Sequence, residues 1–262
     1  MPIFKNVGIF KFIFGKYWYP TYEPPDFGIF PLIAATFFVT FGAMLIAVPL
    51  GVGGALFINE VATSGQKAFL KPIIELLAGI PSIVYGLFGM VIVAPFLQKL
   101  FHIPVGLCAF TASLLLGMMA IPTICSIAED ALNCVPRSFK EASFALGATK
   151  WQTVKKIILP VALPGILTGA ILSLGRAAGE TAPILFTAVT FYTRYLPGSI
   201  FDEVMALPYH IYALMSEGTK PELQVPIAYG TALVLLLLVF AINFVAILMR
   251  IQIRRKNCLL YT

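Results

Sequence analysis

A chain of 262 residues that is 59% hydrophobic and 11% charged falls far short of the roughly 25% charged residues of a soluble domain. Its net charge of +6 sits in loops and the tail beside apolar runs, where it sets membrane orientation and lends no support to nucleic-acid binding. The composition is that of a polytopic membrane protein, and its cysteines at 108, 125, 134 and 258 form no C-x-x-C pair and have no histidine at metal-ligand spacing, so neither a disulfide framework nor a metal site is supported.

Residues 1–26 are mixed: Lys5, Lys11 and Lys16 alternate with aromatic and aliphatic residues as far as Trp18, and Pro20, Pro24 and Pro25 then break the chain. No full span fits before Lys16, and no long apolar core precedes a cleavage site. The expectation is an interfacial segment with its aromatics at headgroup depth. The first span falls within 27–59, where Pro31, Pro49, Gly51, Gly53 and Gly54 are expected to bend or end it. The second falls within 73–97, the third within 103–127, the fourth within 157–189 and the fifth within 226–249. The expected fold is an all-α bundle of five spans.

Lys71 and Glu75, one turn apart at the start of the second span, read equally as an interfacial ion pair or a functional site. Pro81 and Ser82, mid-span, can open backbone groups toward a cavity. His102 and His210 fall in external loops with no neighbour that suggests a metal or a proton relay. The positive charge of the 135–156 loop and of Arg250, Arg254, Arg255 and Lys256 places both, with the loop 60–71, on the cytoplasmic side. Segments 98–102 and 190–225 are then external. Five spans also put the N-terminus outside, at odds with its three lysines, so the start reads as short or truncated and the fold as one that still needs six helices.

The stretch Ser138 to Pro160 is a basic island between apolar spans. Ser138-x-x-Glu141 has the form of a capping box that starts a helix, Gly147 offers the left-handed residue that ends one, and Thr149-x-x-Gln152 is a second capping box. The expected unit is helix, turn, helix. Glu141-Ala142-Ser143, Gly147, Ile157 and Leu159-Pro160 stand at the spacings of E-A-A-x3-G-x9-I-x-L-P. This resembles the EAA loop of permease subunits of bacterial ABC importers, and the resemblance implies that the loop docks into a groove of an ATP-hydrolysing subunit.

Arg176 and Glu180 stand in the middle of the expected fourth span, where each charge costs about 2.5–3.5 kcal/mol on insertion scales. Their i, i+4 spacing lets them pair, either to fix helix packing or to handle a charged solute. The guanidinium fork matches an oxyanion, and a neighbouring carboxylate that competes for it can aid release. Gly165-x3-Gly169 and Gly175-x3-Gly179 are read as close helix packing. No G-x4-G-K-[ST] occurs, so no ATP site is encoded, and neither paired carboxylates, HExxH nor a Ser/His/Asp set supports an enzyme.

Residues 74–89, 129–153 and 174–188 together resemble the permease subunits of the phosphate-specific (Pst) ABC importers, the likeness running from about Phe27 onward. Residues 179–183 are similar to the PstA half, and 27–97 are similar to PstC about as well. The resemblance implies a type I importer permease of the bacterial inner membrane, with six spans usual. It implies a second Pst permease, a dimer of ATP-binding subunits that holds ATP and Mg, and an extracytoplasmic phosphate-binding protein, all working within membrane lipid. It places Arg176, Glu180 and Thr181 in the substrate pathway, and Glu141, Ala142, Ser143, Gly147, Ala148 and Thr149 against the ATPase. No cofactor and no catalytic residue is expected in the chain itself. The domain reading is an N-terminal segment 1–26, a permease domain 27–250 with its coupling loop at 135–158, and a basic tail 251–262. A permease for sulfate, molybdate or phosphonate, and a non-transporting scaffold subunit, remain as alternatives.

Overall fold

The structure is a computed structural model that describes residues 8–19, 26–187, 199–216 and 221–260. In lipid every backbone polar group must be satisfied within the chain, and helices do this segment by segment. The order is α1 (Ile9–Phe14), a two-stranded antiparallel hairpin of β1 (Trp18–Tyr19) and β2 (Asp26–Phe27), α2 (Phe30–Leu56) with a π-helical turn Phe57–Val61, then α3 (Ser64–Gly79). Next come α4 (Ser82–Phe88), a π-helical turn Gly89–Val93, α5 (Ala94–Phe101), α6 (Ala109–Asn133), α7 (Arg137–Ala145) and α8 (Lys150–Thr153). A third π-helical turn, Val154–Ile158, leads into α9 (Leu159–Gly179), and α10 (Ala182–Thr187), α11 (Leu207–Ser216) and α12 (Pro221–Leu260) complete the chain.

Among the described residues five helical stretches are long and apolar enough to cross a membrane: Phe30–Val61, Ser82–Phe101, Ala109–Asn133, Lys150–Gly179 and Gln224–Gln252. The five expected spans therefore stand, with four corrections. Pro49 and the glycines after it do not end the first helix: α2 runs through them, Gly51 lying against Ile124 and Gly54 against Cys125. The second span begins at Ser82, because Ile80 and Pro81 are extended and residues 73–79 belong to α3. The fourth is interrupted at Glu180 and Thr181. The fifth helix continues past 250 into the expected tail, to Leu260.

The chain divides into two compact units, one of Met1–Ala43, Pro81–Leu116 and Arg176–Phe240, the other of Met44–Ile80, Gly117–Gly175 and Ala241–Thr262. In the first, described residues of the N-terminal segment pack into the core. Phe12, Trp18 and Phe27 are buried with Ile29, Leu32, Met205, Leu207 and Ile227. Trp18 meets Phe27 and His210 edge-on, at ring-centroid distances of 6.2 and 5.8 Å. Gly15 and Gly28 let the two backbones cross where any Cβ would collide. Thr36 ties α2 to α11, its hydroxyl donating to Leu32 O at 2.8 Å and accepting from Leu207 N at 3.0 Å. His210 is correspondingly a buried core residue of α11 and not a loop residue, while His102 caps α5 with a φ of 53°. The expected external segment 190–225 is described only in part, Arg194, Glu217 and Lys220 lying outside the described residues.

In the second unit, α9 packs on α6 through small residues, as its glycine spacing predicts. A Cβ at Gly165 would overlap that of Ala131, and one at Gly169 would lie 3.1 Å from Ile127 Cβ. Gly175 likewise abuts the Asn243 side chain, whereas Gly179 faces open space. Ala55, Ile58, Cys125, Ala128, Leu132, Val154 and Ile158 form the main apolar cluster. Lys71 does not pair with Glu75. It reaches Glu129 at 3.0 Å, and that carboxylate holds the Lys71 ammonium above its ordinary value of 10.5.

Gly165→Leu is expected to lower the thermal midpoint of the detergent-purified chain by the equivalent of about 1–3 kcal/mol, as overpacking does, while Gly53→Ala, with open space at its Cβ, changes it little. Differential scanning fluorimetry of both variants checks this. Burial also pushes His210 down to about 3 from its ordinary 6.5. The unfolded chain then takes up a proton that the folded chain refuses, so stability falls as pH drops through that window by up to about 1.4 kcal/mol per unit. His210→Gln is expected to flatten the acid side of a midpoint-versus-pH profile; an unchanged slope below pH 6.5 would contradict the assignment.

Candidate functional site

The polar site is built where the fourth span breaks. The α9 helix ends at Gly179, the Glu180 N–H closes a last turn on Ala177 O at 3.4 Å, and α10 restarts at Ala182. Arg176 therefore lies on the final turn of a long helix rather than mid-span. A cation there opposes the negative end of the helix dipole, whereas Glu180, just beyond the end, needs a counter-charge. Arg176 supplies it, its Nε donating to Glu180 Oε1 at 3.2 Å. The Glu180 side chain is 16% exposed and that of Arg176 is 47% exposed.

One nitrogen of the guanidinium is thus engaged, and among the described residues Nη1 and Nη2 have no other partner. A planar fork fixed at one edge and open at the other suits the oxygens of an anion. Thr181 is half-buried at the break, and its carbonyl accepts from Leu185 N at 2.9 Å to start α10. The α10 helix lies against α4, where a Cβ at Gly86 would meet Phe186 at 2.8 Å and Ala182 O at 2.9 Å. This contact carries Tyr85, buried, within electrostatic range of Arg176. Sequence reasoning passed over Tyr85, because only the packing of α4 on α10 brings it to Arg176.

The basic loop forms helix, turn and helix as its sequence predicts, with one correction. Thr149 and Gln152 make the reciprocal capping box, Thr149 Oγ1 accepting from Gln152 N at 3.3 Å and Gln152 Oε1 accepting from Thr149 N at 2.8 Å. Gly147 has a φ of 76° and ends the first helix. Ser138 is not a cap: α7 starts one residue earlier, at Arg137, behind Pro136 with its φ of −58°, and no side chain caps it. The helix already begins at Arg137, which puts Ser138 inside its first turn and not ahead of it, so its hydroxyl does not serve as the cap.

The residues assigned to docking divide by exposure. Glu141, Ala142, Gly147 and Thr149 are exposed and Ala148 is half-buried, but Ser143 is buried, its hydroxyl 2.9 Å from that of Thr153. Beside them Leu146 is 89% exposed, Trp151 69% and Phe144 50%. Large apolar side chains this open, on a loop otherwise rich in lysine, mark an interaction surface. Lys140 was read only as part of the loop's positive charge, yet it pairs with Glu60 at the end of the first span at 2.6 Å. Among the described residues no group of three or more His, Cys, Asp or Glu side chains is placed to hold a metal ion.

Comparison with known proteins agrees with this architecture. The probable ABC transporter permease protein YqgH of Bacillus subtilis is 37% identical over 251 residues, covering 96% of this chain and 80% of that protein. The phosphate transport system permease protein PstC of Pasteurella multocida is 31% identical over 269 residues, covering 95% of this chain and 82% of that one. Among solved structures, an inward-facing MetNI methionine ABC transporter matches with a TM-score of 0.63 and 24% identity over 86% of this chain and 94% of that chain, a likeness of fold. Residues 47–257 match the family described as the inner membrane component of binding-protein-dependent transport systems. Its helical spans, its EAA-type loop and this match together make the chain a member of that family, an ABC transporter permease subunit of the inner membrane and not an enzyme.

Proposed function

We propose that the chain is one of two permease subunits through which an ATP-driven importer carries inorganic phosphate across the inner membrane. The observation that carries the reading is the half-open guanidinium of Arg176, held at one edge by Glu180 at the break between α9 and α10. Phosphate offers oxygens at the spacing of the fork, and Glu180 or the Thr181 hydroxyl accepts from the protonated oxygen of the monohydrogen or dihydrogen anion. The carboxylate also competes for Arg176, which keeps binding reversible. A named phosphate transport permease among the relatives supports phosphate over other oxyanions.

The remaining parts follow from the family. A second, related permease completes the pathway, an extracytoplasmic phosphate-binding protein delivers the anion, and two ATP-binding subunits hold ATP and Mg. The loop 135–158 lies on the cytoplasmic side, where Glu141, Ala142, Gly147 and Thr149, with exposed Phe144, Leu146 and Trp151, dock on the ATPase. ATP-driven closure of the ATPase dimer moves α7, and the permease pair opens outward; hydrolysis returns it inward. The loop runs directly into the helix that carries Arg176 on its last turn, so the docking element and the pathway residue share one stretch of chain.

Arg176→Ala removes a charge-assisted contact worth about 2 kcal/mol and is expected to cut ATP-dependent phosphate uptake into proteoliposomes roughly 30-fold with the complex still assembled. Uptake at the parental rate in an intact complex would refute the role of Arg176.

A further inference from the structure

Lys140 is held differently from the other basic residues of the loop. It leaves α7 toward the π-helical end of α2 and donates from Nζ to Glu60 Oε1 at 2.6 Å, the two side chains being 25% and 12% exposed. Glu60 stands at the C-terminal end of its helix, where the backbone dipole disfavours a carboxylate. Lys67 answers that end in part, donating to Asn59 O at 2.9 Å. The side chain of Glu60 is answered from the loop, by Lys140.

The other described contacts of α7 and of the segments that flank it are neutral: Val135 precedes the helix, and Val154 and Ile158 follow it. Ser143 meets Thr153 through their hydroxyls, and Val135, Val154 and Ile158 pack with Ala55 and Ile58. Apolar contacts are non-directional, so they resist separation more than sliding. A short, largely buried ion pair has one preferred geometry. Among the described residues it is the ion pair that joins α7 to another helix.

We propose that the Lys140–Glu60 pair is the link through which a displacement of α7 is passed to the first span. The inference rests on the reading of α7 as the helix that docks on the ATPase. Lys140 acts as a positioning residue, touching neither anion nor nucleotide: it fixes the register of α7 on α2 so that the two helices move as one. With the pair broken, the exposed face of α7 still docks, but α7 slips against α2 and ATP is hydrolysed without moving the anion.

The test is the ratio of phosphate taken up to ATP hydrolysed, measured in proteoliposomes of the full complex with its binding protein. Lys140→Glu sets two carboxylates face to face and is expected to lower the ratio at least about tenfold, while substrate-stimulated hydrolysis stays within about twofold. Lys140→Arg keeps the ratio, and the doubly reversed Glu60→Lys/Lys140→Glu restores most of it. An unchanged ratio in Lys140→Glu, or a double variant no better than the single, overturns the link. If Lys140→Glu does not assemble, Lys140→Gln, which removes the charge on a side chain one atom shorter, is judged by the same ratio. A parental complex that assembles and hydrolyses ATP but takes up no phosphate refutes the transport reading before any variant is compared, an outcome distinct from failure of the link alone.

Discussion

A charge held in an apolar helix must be answered by an opposite charge, and the polar chemistry of this chain is arranged around that constraint. An isolated carboxylate in such surroundings costs several kcal/mol, so a largely buried carboxylate is held beside a cation. Glu60, Glu129 and Glu180 all stand at or near the ends of spans, and each is met by a basic side chain: Lys140, Lys71 and Arg176. Two of these pairs join different helices and hold the packing in register. The third joins neighbours on one chain segment, leaves half of its guanidinium open, and is the one suited to a solute.

The small residues serve a complementary end. In lipid no hydrophobic force drives one apolar helix onto another, so close backbone approach and dispersion contacts take its place. Gly165 and Gly169 bring α9 onto α6, and Gly86 brings α4 onto α10. The first contact steadies the unit that carries the basic loop. The second fixes Tyr85 beside the helix break that carries Arg176 and Glu180.

Features set by neighbours in sequence were legible in the sequence, and features set by the fold were not. The Thr149–Gln152 cap, the left-handed Gly147 and the Arg176–Glu180 pair each depend on residues within one turn, and the structure places all three as expected. Ser138 misled because the helix starts earlier, at Arg137 behind Pro136, which leaves Ser138 inside the first turn. Lys71 misled because a partner one turn away, Glu75, competed on paper with Glu129, which only the packing of α3 against α6 brings within 3.0 Å. His210 carried the usual signs of a loop residue, yet it lies in α11, buried against Trp18 of the hairpin. Glu60 and Lys140 are far apart in sequence and were visible only as separate charges.

The most direct test of the central claim is anion competition in labelled-phosphate uptake by proteoliposomes containing this chain, its partner permease, the ATPase and the binding protein. The account predicts ATP-dependent uptake that excess arsenate suppresses and excess sulfate or molybdate leaves unchanged. Uptake suppressed equally by sulfate or molybdate, or a complex that hydrolyses ATP and moves sulfate in place of phosphate, would contradict it.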